Sequence, residues 1–76
     1  MNIIDLIHDI TQEDYQVHFC GDFEGMVRIE YWHEYDKEFY EHEHLGYPDC
    51  PREKLEEDIM KSLKEFKEQY VDKKEA

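Results

Sequence analysis

Seventy-six residues allow one domain with one thin core, and eleven aromatics within a 39% hydrophobic fraction are too many for an acidic disordered tail. Twenty-one Asp and Glu against nine Lys and Arg give a formal charge of −12, which argues against direct binding to nucleic acid or to an anionic bilayer. Residues 1–50 hold thirteen acids against two bases, a balance of −11, whereas residues 51–76 hold eight against seven, so the charge belongs to the first two-thirds of the chain.

The opening MNIIDLIHDI has no Lys or Arg and no long apolar run. It reads as neither a signal peptide nor a membrane span, which makes the cytoplasm the default location. Ile3, Leu6, Ile7 and Ile10 fall at i, i+3, i+4 and i+7 and predict a helix over 1–10. The polar residues 11–14 end it. Tyr15, Val17 and Phe19 then alternate with Gln16, His18 and Cys20, the pattern of a strand. Gly21 and Gly25 bracket a hairpin loop.

A second strand follows over 26–35, with Val27, Ile29, Tyr31 and His33 on one face and Met26, Arg28, Glu30 and Trp32 on the other. Asp36-Lys37 makes the next turn, and 39–47 the third strand, for which two registers fit. Pro48 and Pro51 stop the sheet, and Pro51 suits the first turn of a helix capped by Asp49 or Cys50. Leu55, Ile59, Leu63, Phe66 and Tyr70 share one face of a helix over 51–71, supported by Glu53 near its start and a Glu57–Lys61 pair. Lys73-Lys74 complement its dipole in a frayed tail, 72–76. The expected fold is a single α+β domain over 1–76, in the order α-β-β-β-α. A three-stranded antiparallel sheet, 14–47, carries both helices on one face.

Three kinds of chemistry compete for these residues. His42 and His44 alternate on one strand, and His33 approaches them if the hairpin brings it round, which would make a zinc site. Solvated imidazoles on a polar sheet face are the plainer reading. Cys20 and Cys50 lack CxxC spacing and read as reduced thiols. No phosphate loop or nucleophile elbow is present, and a domain this small has little room for a substrate cavity of ~300 Å³, so no catalysis is expected. Trp32 either covers the sheet or anchors an interface. The carboxylates remain. Alternate strand residues lie roughly 6.6 Å apart on one face, a spacing comparable with successive backbone phosphates. Carboxylates also pair bidentately with arginine, the residue that reads guanine in DNA grooves. A small acidic surface of this kind can occupy a DNA-binding groove in place of DNA.

The stretch MNIIDLIHDITQEDYQVHFCG resembles the opening of a family of small acidic phage-encoded type II-A anti-CRISPR proteins. The resemblance rests on Met1, Asn2, Ile3, Asp5, Leu6, Ile7, Ile10, Asp14, Tyr15, Val17 and Gly21, without gaps, and the α-β-β-β order is also similar. It implies a double-stranded-DNA mimic that covers the arginines with which a guide-RNA-loaded type II CRISPR nuclease reads its protospacer-adjacent motif. The partner would be that basic groove, with no cofactor, no direct contact with nucleic acid and a monomer or weak dimer as the binding form. Asp14 and Tyr15 match contact positions of the family. The turn Asp36-Lys37-Glu38, with Tyr40 beyond it, resembles the family's acidic β2–β3 turn, although Lys37 stands where the family has a glycine. Asp22 and Glu24 are secondary contact candidates. The C-terminus departs from the family, which has two helices joined by an acidic, tyrosine-bearing segment. The close match covers residues 1–21. Two alternatives stand beside it: the same mimicry aimed at a restriction enzyme or a uracil-DNA glycosylase, and a non-catalytic phage accessory protein with a histidine metal site.

Overall fold

Asn2 starts the first helix. Its side-chain Oδ1 accepts from the Asp5 backbone N–H at 2.8 Å, and Asp5 reaches back to the Asn2 N–H at 3.4 Å, a reciprocal cap that satisfies two otherwise orphaned donors. The computed structural model describes residues 2–21 and 26–72. Its elements are α1 (Ile3–Thr11), β1 (Tyr15–Gly21), β2 (Val27–His33), β3 (Tyr40–Leu45) and α2 (Arg52–Phe66), the last continued by a π-helical turn, Lys67–Val71. The α-β-β-β-α order is the one expected from periodicity. Asp14 breaks away from α1 in the left-handed region at φ 71, a conformation that Asp tolerates better than most residues.

The strands pair antiparallel in the order β1-β2-β3. Tyr15 opposes His33 at one end of the β1–β2 ladder and Gly21 opposes Val27 at the other. Trp32↔Tyr40 and Val27↔Leu45 bound the second ladder. This register resolves the third strand, which sequence left open. Glu41, Glu43 and Leu45 share the face of Tyr31, Ile29 and Val27, and Tyr40, His42 and His44 take the opposite face.

Both helices pack on the first of those faces. The buried core is Leu6 and Ile10 from α1, Ile29 and Tyr31 from β2, Leu45 from β3, Leu63 and Phe66 from α2, and Val71. Tyr31 and Phe66 stack nearly parallel with centroids 3.9 Å apart, joining sheet to helix at the centre. Among the described residues nothing covers the other sheet face. Gln16, His18 and Cys20 from β1, Arg28, Glu30 and Trp32 from β2, and Tyr40, His42 and His44 from β3 line it in three cross-strand rows.

Three local expectations are corrected. Pro51 is the N-cap of α2 at ψ 147, not a first-turn residue, and no side chain caps the helix, because Asp49 turns into the left-handed region at φ 63. The ion pairs along α2 are Arg52–Glu56 at 3.1 Å and Lys54–Asp58 at 2.9 Å, not Glu57–Lys61. The third strand ends at Leu45, because Gly46 takes φ 88 and a Cβ there would meet Leu55 Cδ1 at 3.2 Å. Lys73 and Lys74 lie outside the described residues. Among the described residues no helix is long and apolar enough to cross a membrane.

Candidate functional site

The β1–β2 register decides which acids meet. Because Tyr15 opposes His33, the segment leaving α1 lies beside the β2–β3 connection, and the Glu34 N–H donates to the Asp14 carbonyl at 2.8 Å. Glu13, Asp14, Glu34, Asp36 and Glu38 therefore converge on one end of the sheet, with Lys37 the single base among them.

The turn itself is built by side chains. His33 Nδ1 accepts from the backbone N–H groups of Tyr35 at 3.1 Å and Asp36 at 3.0 Å, which fixes that nitrogen as unprotonated in this arrangement. Asp36 Oδ1 accepts from the Glu38 N–H at 3.1 Å, and the Asp36 carbonyl accepts from the Phe39 N–H at 3.1 Å. Glu34 Oε1 takes a hydrogen bond from the Gln16 amide at 3.2 Å. These bonds hold the carboxylates in place while leaving them solvent-exposed.

Tyr15 sits at the centre of this end, half-buried. Its ring packs edge-on against Phe66 at 5.1 Å and His33 at 4.9 Å, and tilted against Phe39 at 5.3 Å. Most of the ring is thus committed to packing. Desolvation raises the pKa of its hydroxyl, and the negative charges of Asp36 and Glu13 raise it further. The neutral phenol is a hydrogen-bond donor set among carboxylates.

Tyr40 begins β3 at the same end but points to the open sheet face. Its ring lies 4.6 Å from Trp32 and stacks on His42 at 5.2 Å, and its hydroxyl donates to Glu30 Oε2 at 3.1 Å. Arg28 Nε lies 2.9 Å from the same Glu30 oxygen without the alignment of a hydrogen bond, a charge contact only. Trp32, 39% exposed, borders an open hollow of about 520 Å³ together with His18, Glu30, Glu34 and Asp36.

Of the seven residues picked from sequence, Asp14, Tyr15, Asp36 and Glu38 are brought together, and Tyr40 stands next to them around the sheet edge. Asp22 and Glu24 lie outside the described residues. Glu34, Asp36 and Glu38 alternate along the turn, as their spacing suggests, but sequence reasoning missed Glu13, whose place depends on the cross-strand register. It also missed Tyr70, whose ring centroid lies 6.4 Å from that of Tyr15. Desolvation raises the Tyr70 pKa, and Glu41, hydrogen-bonded to its hydroxyl, raises it further.

The histidine arrangement is a correction. His33 faces the helices, whereas His42 and His44 lie on the open face, so the strand alternation separates the proposed ligands. Among the described residues no group of three His, Cys, Asp or Glu is arranged to hold a metal ion. Cys20 and Cys50 are free, half-buried thiols.

No family model, no curated protein and no solved structure matches this chain.

Proposed function

We propose that this protein is a DNA-mimic inhibitor that binds the groove with which a guide-RNA-loaded type II CRISPR nuclease reads duplex DNA. The observation that supports this reading most is the junction of residues 13–15 with the hydrogen-bonded 33–38 turn, which gathers five acids at one end of the sheet, two of which, Asp36 and Glu13, act on the half-buried Tyr15. Arginine and lysine side chains that grip phosphates or guanine edges find there carboxylates of the opposite charge. Inhibition is occlusion, without turnover or cofactor. It takes place in the cytoplasm of the host cell, with the gene carried by a phage or another mobile element. Asp14, Asp36 and Glu38 supply charge, Tyr15 a donor, and Tyr40 an aromatic flank.

The experiment is a gel shift. Guide-loaded type II nuclease is mixed with this protein and then with target duplex carrying the protospacer-adjacent motif. Loss of the shifted duplex at micromolar inhibitor, and its return with an Asp14→Asn, Asp36→Asn, Glu38→Gln variant, supports the reading. Undiminished duplex binding sinks it for the nuclease. The same measurement on a restriction enzyme or a uracil-DNA glycosylase identifies a different groove as the target.

A further inference from the structure

Among the described residues, the N-terminal turn of α1 and the first three turns of α2 leave an open apolar hollow between them. Ile3, Ile4 and Met60 form its floor, and it measures about 550 Å³. Ile4 is 72% exposed and lies off the Ile3–Leu6–Ile7–Ile10 stripe of α1, so packing among the described residues does not account for an isoleucine there. Glutamates stand around this floor. Glu56 is answered by Arg52, but Glu53 and Glu57, one helical turn apart on α2, make no ion pair among the described residues. The site is separate from the acidic turn. It adjoins the start of α1, a helix of nine residues and roughly 13.5 Å, whereas Asp14 follows its end.

From this geometry we infer a docking groove for a basic amphipathic helix of a protein partner. The apolar floor takes one aliphatic side chain of the visitor, and Lys or Arg residues one turn to either side lay their stems along Ile4 and Met60 while their charged heads reach Glu53 and Glu57. The rim selects among occupants. A second copy of this chain would bring the same glutamates against these, and an anionic lipid surface is repelled outright. A basic helix satisfies both the floor and the rim. The groove stands independently of the nuclease reading, since none of its residues belongs to the acidic turn.

The test uses three synthetic 15-residue amidated helices: one of leucine and lysine with leucines at i, i+4 and i+7, a leucine–glutamate twin, and a lysine–serine peptide of equal charge. Methyl and amide NMR spectra of the intact protein are recorded through each titration. The leucine–lysine peptide is expected to shift the Ile3, Ile4 and Met60 methyls saturably, and Ile4→Asn, a change at an exposed position, to weaken it roughly tenfold by removing one buried aliphatic side chain. Glu53→Gln with Glu57→Gln should weaken it as well, and the twin should not bind. Equal binding of the lysine–serine peptide, or an Ile4→Asn variant with unchanged affinity, overturns the groove. So does movement of the same methyls with protein concentration alone, which would name a second copy as the occupant.

Discussion

A three-member hydrogen-bond chain crosses from sheet to helix, and its polarity can be deduced. Ser62 Oγ lies 2.8 Å from Glu43 Oε1 and 2.9 Å from the Tyr31 hydroxyl, and both Ser62 and Tyr31 are buried. A carboxylate only accepts, so the one serine proton goes to Glu43 and Tyr31 must donate to Ser62. Ser62→Ala then strands a buried phenol. That costs about 1–3 kcal/mol, offset by about 0.5 kcal/mol from the better helix propensity of Ala. Tyr31→Phe removes the donor but leaves Ser62 bonded to Glu43, at about 1 kcal/mol. In the double variant no buried donor is left over, because Glu43 is exposed and recovers its lost bond from water. Its cost should lie near that of Tyr31→Phe alone, a coupling of about 1 kcal/mol. Urea unfolding of the four proteins at pH 7, with a common m-value, measures this directly. Additive costs would refute the deduced chain. Burial pushes the Tyr31 pKa up to about 12, partly opposed by Ser62. The folded value exceeds the unfolded value near 10, so this stabilisation is complete below pH 10 and is lost as pH rises to 12. Tyr31→Phe should flatten that part of the pH profile.

Asn2→Ala removes the side-chain acceptor of the Asp5 N–H, leaving only the Asn2 backbone N–H to Asp5 bond of the α1 cap, and should cost about 1 kcal/mol in urea unfolding, while Asn2→Asp should be near neutral. Lys37→Gly removes the base from the acidic turn and should tighten binding to the nuclease severalfold in a competition gel shift. The same affinity should fall steadily as salt rises from low to physiological strength, whereas a flat response would leave the aromatics as the carriers of the interface. Zinc at a modest excess should leave the melting temperature unchanged, because His33 faces away from His42 and His44. A rise of several degrees would contradict that placement.

The helices and strands were legible because their signals are local. Ile3 to Ile10 keeps one period throughout and buries Leu6 and Ile10, while Tyr15 to Cys20 keeps another that forms its strand although Phe19 stays exposed. The third strand was not legible in the same way. Its apolar set is spread over Phe39, Tyr40 and Leu45, which alternate on no single face, so only pairing with β2 through Trp32↔Tyr40 resolves it. The candidate site was legible in part for a related reason. Glu34, Asp36 and Glu38 announce themselves within one turn, but Glu13 and Asp14 join them only across the ladder. Tyr15, expected as an exposed contact, is half-buried because Phe39 and Phe66 surround it, a consequence of tertiary packing that no window of sequence contains. The start of α2 misled for a smaller reason: a proline can stand as the N-cap or in the first turn, and composition does not distinguish the two.

The carboxylates on the core side of β3 connect fold to function. β3 is an edge strand, and a row of unpaired backbone groups at an edge invites another strand to pair with it. Glu41 and Glu43 lie on the helix-facing side of that strand and remain exposed. Hydroxyls from the C-terminal helical segment, Ser62 to Glu43 and Tyr70 to Glu41, hold them in place. A second copy laid along β3 would set four carboxylates against one another, which disfavours strand addition. On the proposed function, carboxylates that disfavour strand addition along β3 leave that acidic surface free to meet a basic groove.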